Sequence, residues 1–135
     1  MQITRQADYA LRAMVYLARL DSNESAATKK IAEVQRIPPS FLAKIISQLS
    51  IAKLINTSRG AHGGVKLARP PAEISLLQVI EAIDGPIALN ECTIDPGQCD
   101  NAENCPLHDI WQETQDQLVA KLRDTRFDKY TAKNN

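Results

Sequence analysis

Several features that would place the chain in a common class are missing from its 135 residues. No run approaches the roughly 18 consecutive apolar residues of a membrane-spanning helix, so we expect no membrane partner. The N-terminus lacks a charged head followed by an apolar core, and we therefore expect no signal peptide and a cytoplasmic location. The three cysteines cannot all pair within one chain, which argues against a disulfide framework. No set of nucleophile, base and orienting group is visible, so we predict that the protein is not an enzyme.

Positive charge is also missing from one long stretch, since no Lys or Arg lies between Arg69 and Lys121. Residues 1–70 carry eleven Lys and Arg against four Asp and Glu, a net of +7, whereas residues 71–135 carry five against twelve, a net of −7. The basic half predicts contact with a polyanion. The acidic half would be repelled by the same polyanion, so we expect it to face elsewhere.

The first half of the chain has the pattern of three helices. Apolar residues at helical spacing predict a first helix over residues 4–20 with Thr4 as its N-cap. A second helix is predicted from its N-cap Thr28 to about Gln35, and a third over about residues 40–52 after a proline turn. Two helices joined by a tight turn are typical of a helix-turn-helix.

The predicted third helix has two different faces. The apolar face, which we expect to be buried, comprises Leu42, Ile45, Ile46 and Leu49. The opposite stripe of small, polar and basic side chains suits close approach to the major groove of DNA. That stripe comprises Ser40, Ala43, Lys44 and Ser47. On periodicity alone, a small helical bundle with a solvated face is the alternative.

A β-hairpin is predicted directly after the third helix. Strand-like runs over residues 54–59 and 65–69 flank a glycine-rich turn at residues 60–64. A helix-turn-helix followed by a basic hairpin is a winged helix, in which an Arg at the wing tip can enter a narrow minor groove. The predicted fold class is therefore mainly α with a small β-wing. The residues predicted to contact DNA are Thr28, Ser40, Ala43, Lys44, Ser47, Arg59, His62, Gly63, Gly64 and Lys66.

The chain after the hairpin begins with another helix over residues 74–83, for which Ser75 is a possible N-cap. We expect this helix to close the core under the winged helix. The predicted parts of the whole chain are a winged helix-turn-helix DNA-binding domain over residues 1–87, a cysteine-containing loop over residues 88–106, a dimerisation helix over residues 107–126 and a flexible tail over residues 127–135.

The long last helix carries an apolar stripe that needs a partner. The most economical partner is a second copy of the chain in a symmetric homodimer, since proteins that bind palindromic DNA usually come in pairs. The alternative is that the helix folds back on its own domain. The residues predicted to lie in the dimer interface are Leu107, Ile110, Trp111, Leu118 and Leu122.

All the cysteines lie in the polar loop, at Cys92, Cys99 and Cys105, and His108 follows at C-x-x-H spacing. The loop has too little apolar content to fold by itself, so a metal ion or an iron–sulfur cluster is the obvious candidate for ordering it. Thiolates are the soft ligands that iron–sulfur clusters require. Zinc is the rival metal, although structural zinc sites usually show close C-x-x-C pairs. From spacing alone, free thiols and a His108 that only hydrogen-bonds to the loop stay open.

Several motifs along the chain carry a family resemblance. They are ADYALR at 7–12, SFL at 40–42, SRGAHGGVKLAR at 58–69, ISL at 74–76, IEAI at 80–83 and Gly85. Over about residues 1–125 they resemble the winged-helix transcription regulators of the Rrf type, the bacterial family that includes IscR, NsrR, RirA and CymR. The resemblance implies a dimeric DNA-binding fold in which the long C-terminal helix of each subunit crosses the other subunit.

The resemblance also implies an iron–sulfur cluster, because members with three cysteines bind one in the loop before the long helix. Cys92, Cys99 and Cys105 match those ligand positions, and the ligand pattern is closest to that of IscR. There the histidine that His108 matches is the fourth ligand of a 2Fe–2S cluster, which is the cofactor that we favour. A 4Fe–4S cluster is the alternative, with Asp8 as the fourth ligand, since NsrR-like members recruit an N-terminal acid from the partner subunit. Six residues separate Cys92 from Cys99, whereas the IscR and NsrR patterns usually have five and the RirA type is nearer seven. The subgroup of the family to which the chain is most similar therefore stays open.

The predicted function is sequence-specific DNA binding and transcription regulation by a homodimer, as a repressor or an activator, at a promoter operator that we expect to be palindromic. Affinity for double-stranded DNA would be switched by the cluster in response to iron or cluster status, redox stress or nitric oxide. Ala43 stands where the IscR type has Glu, so a cluster-dependent choice between sites is not assumed. The alternative is a DNA-binding thiol redox sensor without a cluster. The basic first half disfavours an electron-transfer or cluster-carrier protein.

Overall fold

The computed structural model describes residues 2–61, 63–94 and 105–131. The described elements form a mainly helical fold with one small antiparallel hairpin, which confirms the predicted fold class. The elements are α1 (Arg5–Ala18), α2 (Thr28–Gln35), α3 (Pro39–Ile51), β1 (Ile55–Ser58), β2 (Gly64–Leu67), a 3-10 helix (Pro71–Glu73), α4 (Leu76–Asp84), α5 (Glu91–Ile94), α6 (His108–Asp124) and a second 3-10 helix (Phe127–Tyr130). In these ranges, none of the helices has the length and the apolar composition that crossing a bilayer requires.

The main core lies between α1, α2, α3, α4 and the base of the hairpin. The buried face of α1 is mostly alanine, which lets the neighbouring helices approach its backbone closely. The buried residues of α1 are Ala7, Ala10, Ala13, Met14, Leu17 and Ala18. The four apolar residues of α3 that the periodicity selected are all buried against this core. Their burial fixes which face of α3 points to solvent.

The N-caps show how far local sequence determines the helix ends. The Thr4 hydroxyl accepts a hydrogen bond from the Ala7 amide at 3.1 Å, and Ser75 forms a capping box with Gln78, so both predicted N-caps are confirmed. The predicted N-cap Thr28 is wrong by one residue, because the structure has Thr28 as the first residue of α2. The residue before it has an extended backbone and makes no side-chain capping hydrogen bond.

The turn between α2 and α3 is sharp. Arg36 has a left-handed backbone (φ 54°), and its amide donates to the carbonyl of Ala32, which ends α2. Pro39 is the first residue of α3, where its missing N–H is not needed. The two helices therefore have the arrangement that the sequence predicted.

The hairpin is docked against the helix-turn-helix by its second strand. β1 and β2 pair antiparallel along their full length, with Ser58 opposite Gly64. On its other side, Val65 exchanges two hydrogen bonds with Ala26, at 2.9 and 2.8 Å. Because Ala26 precedes α2, these bonds fix the hairpin relative to the helix-turn-helix formed by α2 and α3.

The segment after α6 returns to the core. The Leu76 amide donates to the Thr125 carbonyl at 2.9 Å, and the Phe127 amide donates to the Ile74 carbonyl at 3.0 Å. The Phe127 side chain is completely buried in the main core. The chain after α6 is therefore tied by backbone and side chain to the winged helix.

The predicted flexible tail is wrong over Phe127–Tyr130, which forms a 3-10 helix packed on α1. Nε of the Arg19 guanidinium donates a hydrogen bond to the Tyr130 carbonyl at 3.1 Å, which adds to this packing. The sequence around Phe127 is polar. Phe127 is nevertheless buried, because the backbone beside it pairs with the distant segment at Ile74 and Leu76. Residues 132–135 of the predicted tail lie outside the described residues.

Replacing Phe127 by Ala should lower the free energy of unfolding by about 3–5 kcal/mol, the usual cost of truncating a buried phenylalanine. Urea denaturation followed by circular dichroism measures the change. Phe41→Ala is the matched control, because Phe41 is the only other phenylalanine and is 41% exposed. The control should cost less than about 1.5 kcal/mol. Equal losses in the two variants would contradict the anchoring role of Phe127.

Candidate nucleic-acid interface and cysteine site

The predicted DNA-binding stripe of α3 is exposed along its whole length. Ser40, Ala43, Lys44 and Ser47 all lie in solvent, opposite the buried apolar side chains. α3 contains no acidic residue. A helix face with small side chains, hydroxyl groups and one cation can approach the edges of base pairs closely.

Further basic side chains lie on the elements next to this stripe. Lys29 and Lys30 are exposed in the first turn of α2, where the predicted contact Thr28 is half-buried. Arg36 lies in the turn before α3, and Lys53 follows α3. The sequence does not mark these four residues as DNA contacts, because isolated basic residues form no motif. The only sequence feature that includes them is the net positive charge of residues 1–70.

The wing presents two exposed cations, Arg59 at the end of β1 and Lys66 on β2. Gly64 has a structural role that the sequence pattern did not predict. A Cβ atom on Gly64 would lie 2.6 Å from the carbonyl oxygen of Ala26, so only glycine allows the hairpin to dock there. Gly63 is similarly close to the backbone of β1. DNA contact by both glycines stays a prediction, and His62 lies outside the described residues.

The cations of this surface are available for a polyanion. Within the described ranges, none of the ion pairs involves Lys44, Arg59 or Lys66. Unpaired exposed cations bind phosphates by releasing the counterions of DNA, which makes such binding dependent on salt. The surface formed by α3 and the wing is therefore a candidate nucleic-acid interface.

The cysteine segment, which we define as residues 88–108, is described at its two ends. Cys92 lies in α5 and is 6% exposed, and Cys105 is half-buried just before α6. Cys99 lies outside the described residues. α5 packs on α6, and the Leu89 amide donates to the Gln115 side chain at 2.9 Å. Both ends of the segment are thus held against the same long helix.

His108 begins α6, and its amide donates to the Cys105 carbonyl at 3.2 Å. Its Nδ1 atom is buried without a hydrogen-bond partner among the described residues. A buried polar atom without a partner is rare and calls for an explanation. Neutral imidazole is a metal ligand, so this nitrogen fits a bound metal or cluster.

The described residues include only part of the predicted set of metal ligands. In the part of the chain that the structure describes, no three Cys, His, Asp or Glu side chains lie close enough to hold a metal ion. That part contains Cys92, Cys105 and His108 but lacks Cys99. By residue type and by the orphaned nitrogen, these residues fit part of a Cys₃His ligand set.

Asp8, the alternative fourth ligand, lies on the exposed side of α1. The Arg12 guanidinium donates to Asp8 Oδ2 from Nη2 at 2.8 Å and from Nε at 3.2 Å. A ligand role for Asp8 stays a prediction.

The predicted dimer residues separate into two groups. Leu118 and Leu122 pack on α4 of the same chain, so folding back accounts for their apolar character. Leu107, Ile110 and Trp111 are exposed near the start of α6, and Trp111 is 39% exposed. None of the 17 residues of α6 is fully buried. Large exposed apolar side chains that cluster in this way mark a candidate interface.

Comparison with known proteins identifies relatives along the whole chain. The sequence model of the family described as Rrf2, iron-dependent transcriptional regulator, matches residues 3–133. The HTH-type transcriptional regulator NsrR of Shouchella clausii is 35% identical over 135 residues, which cover 99% of this chain and 87% of that protein.

Two solved structures have a similar fold. CymR, described as the global cysteine regulator of B. subtilis, superposes with a TM-score of 0.83 at 24% identity, covering 100% of this chain and 99% of that one. IscR of T. potens superposes with a TM-score of 0.76 at 23% identity, covering 95% of this chain and 84% of that one. At these identities the likeness shows the fold.

Proposed function

The chain belongs to the Rrf2 family of transcriptional regulators, and we propose that it acts as a homodimer whose affinity for DNA is switched by an iron–sulfur cluster. As a member it is a DNA-binding regulator and not an enzyme. Four features are assigned in addition to this membership: the surface that binds DNA, the residues that hold a cluster, the surface that forms the dimer, and the path from the cluster to the DNA-binding surface.

We assign DNA recognition to α3 and the wing. The observation that carries this assignment is the outer face of α3, which is exposed, free of acidic residues and bordered by cations that form no ion pair with any residue that the structure describes. Ser40, Ser47 and Lys44 offer hydroxyl groups and a cation to base edges, and the short side chain of Ala43 allows close approach. Arg59 at the wing has the charge that a narrow minor groove attracts.

We assign the cluster to Cys92, Cys99, Cys105 and His108. The buried Cys92, the half-buried Cys105 and the orphaned Nδ1 of His108 support this assignment. When bound, a cluster would supply an iron centre that iron shortage, oxidants or nitric oxide can remove. A 2Fe–2S cluster fits three thiolates and one imidazole, and a 4Fe–4S cluster with Asp8 as a ligand is the other form to test. The family description as iron-dependent and the relative NsrR are consistent with either.

We assign dimerisation to the first half of α6. Leu107, Ile110 and Trp111 expose apolar surface there, next to the exposed Ile94 of α5. A symmetric dimer would cover these side chains and place two copies of α3 for the half-sites of a palindromic operator. Since the cysteine segment adjoins the same surface, a change in that segment would reach the dimer interface as well.

α6 supplies the path from the cluster to the DNA-binding surface. It begins at His108 beside Cys105 and is followed by Phe127, which is buried in the winged-helix core. Ordering of the cysteine segment would fix the position of the start of α6. Because Phe127, just after the other end of α6, is buried in the core, a change in the position of the helix would reach the core. A coupling of about 1–3 kcal/mol changes affinity roughly 5–150-fold, enough to switch a promoter.

The assignment of the DNA surface predicts the effect of removing single cations. Lys44→Ala and Arg59→Ala should each weaken binding about tenfold, since contacts to DNA of this kind contribute about 1–3 kcal/mol. The probe is a duplex that the wild-type protein selects from a randomised library, and fluorescence anisotropy measures the affinity.

Lys121→Ala is the matched control for charge, because Lys121 is exposed on α6, away from the assigned elements. The control should bind within about twofold of wild type. If Lys121→Ala weakens binding as much as Lys44→Ala, the DNA surface has been assigned to the wrong face.

The assignment of the cluster predicts the composition of the protein purified without oxygen. The wild type should contain iron and sulfide and absorb visible light. His108→Ala should lose iron to a chelator about ten times faster or more, because a protein ligand has been removed. Cys92→Ser should carry little iron, since a thiolate is the ligand that iron prefers here.

His62→Ala is the matched control, because His62 is the only other histidine in the sequence. It should retain iron like the wild type. Wild-type protein without iron and sulfide would refute the cluster and favour a thiol sensor. Unchanged iron retention in His108→Ala would move the fourth ligand to another residue, and Asp8→Ala would then be the variant that loses iron.

A further inference from the structure

A cavity lies between the end of α1, the loop that follows α1 and the end of β2, and we call it the α1–β2 cavity. Its volume is about 320 Å³, at the lower end of the range of about 300–1,000 Å³ in which proteins bind small molecules. Of the residues assigned above to DNA, the cluster or the dimer, only Lys66 of the wing lines it. The cavity is therefore separate from the cluster site.

We propose that the α1–β2 cavity binds a small zwitterion, an α-amino acid with an apolar side chain. The inference goes beyond the proposed function, and it depends on neither the cluster nor the DNA-binding surface. The cavity offers three kinds of surface that such a molecule needs: an apolar floor, a wall with carboxylates and a wall with cations.

The floor of the cavity is apolar and belongs to the core of the fold. Leu17 is 3% exposed and Ala18 is 5% exposed. Leu20 and Leu67 are half-buried and pack against the same core, and the half-buried Pro71 also lines the cavity. An apolar side chain of the ligand would leave water when it contacts this floor, which favours binding.

Two carboxylates and two cations line the cavity from different segments of the chain. The carboxylate wall is Asp21 and Glu24, in the loop after α1. The cation wall is Lys66 on β2 and Arg69 just after it. None of the four forms an ion pair with any residue that the structure describes. Opposite charges that line one cavity without pairing are available to a ligand that carries both charges.

This combination of charges selects the class of ligand. A ligand with only a carboxylate would be repelled by the carboxylate wall, and a ligand with only an ammonium group would be repelled by the cation wall. A neutral apolar ligand would remove water from the charged groups without replacing their hydrogen bonds, which costs free energy. A zwitterion satisfies both walls, because its carboxylate can accept hydrogen bonds from Arg69 and its ammonium group can donate to Glu24.

Both walls are ordered by hydrogen bonds of the protein itself. Oε1 of Glu24 accepts a hydrogen bond from the Asp21 amide at 3.0 Å, and the Glu24 amide donates to the Asp21 carbonyl at 2.9 Å. Next to the cation wall, the Ala68 amide donates to the Leu54 carbonyl at 3.0 Å, and the rings of Pro70–Pro71 restrict the backbone. A site that is ordered before binding loses less conformational entropy when the ligand enters.

Isothermal titration calorimetry of the full chain, purified without oxygen, tests the class of ligand. The probes are L-leucine, L-valine and L-methionine, and at least one should bind with a Kd below about 1 mM. Two matched analogues of the amino acid that binds most tightly lack either its ammonium group or its carboxylate. For L-leucine these analogues are isocaproate and isopentylamine. Each analogue should bind at least about tenfold more weakly, the ratio expected from the loss of a hydrogen bond to a charged group.

Substitutions in the two walls test the location of the site. Glu24→Gln, Lys66→Gln and Arg69→Gln should each weaken binding of the amino acid about tenfold, because each removes a charge that the ligand contacts. Glu73→Gln and Arg5→Gln are the matched controls, since both residues are exposed and neither lines the cavity. Both controls should bind the amino acid like the wild type. Circular dichroism checks the fold of each variant.

Three results would overturn the inference. Absence of binding by all three amino acids at about 1 mM would show that the cavity is not a site for this class of ligand. An analogue that binds as tightly as its amino acid would show that one of the two walls makes no contact with the ligand. Unchanged binding in Glu24→Gln and Lys66→Gln would place the ligand elsewhere, and these two residues are exposed, so their replacement should not disturb the core.

Discussion

The burial of Phe127 in the winged-helix core is the contact on which the arrangement of the whole chain depends. Its side chain is inaccessible to solvent, and the backbone from Thr125 to Phe127 pairs with the backbone from Ile74 to Leu76 at the start of α4. Without this anchor, α6 would be attached to the winged helix mainly through its half-buried contacts with α4, since its other neighbour, α5, belongs to the cysteine segment. With it, the helix that begins at the cysteine segment is tied to the core on which α3 packs. The regulation proposed for the cysteine segment would therefore need no separate hinge.

The distribution of charge along the chain is a second feature that distinguishes the elements proposed to bind DNA from the start of α6. Lys44, Arg59 and Lys66 lie on α3 and the wing, the elements proposed to meet DNA, and within the described residues none of the three is paired with a carboxylate. The first turns of α6 are acidic and exposed, at Asp109 and Glu113. DNA would repel that surface, which favours a dimer or a cluster site there over a second nucleic-acid contact. The distribution of charge therefore favours DNA binding at α3 and the wing, and a different role for the start of α6.

The parts of the fold that depend on local sequence were predictable. The amphipathic pattern of α3 identified its buried and exposed faces, and Thr4 and Ser75 marked two helix starts. The errors arose where a distant segment decides the outcome. The polar neighbours of Phe127 gave no sign of its burial, and the apolar stripe of α6 could not tell whether Leu118 faces the same chain or a partner. The close approach of Ala26 to Gly64 is likewise invisible to any local pattern.

The residues of the candidate cluster site could be predicted from the sequence because cysteine and histidine are recognisable as metal ligands by residue type. Cysteine spacing and the family motifs selected the candidate ligands, and the buried Nδ1 of His108, which has no hydrogen-bond partner among the described residues, is an independent structural sign that agrees with them. The contacts of Arg12 with Gln35 and of Tyr9 with Phe41 were not predictable, because helical spacing gives only the contacts of Arg12 with Asp8 and Tyr9 within α1. The contacts with Gln35 and Phe41 exist only after three helices have packed.

The central claim is that occupancy of the cysteine segment changes affinity for DNA. The most direct test is a titration of one operator duplex, without oxygen, with the cluster-loaded protein and with the same preparation after removal of iron by a chelator. The two dissociation constants should differ by roughly 5–150-fold, and the value for the depleted protein should return to that of the loaded protein when the cluster is rebuilt. Equal dissociation constants for the loaded and the depleted protein would contradict the central claim.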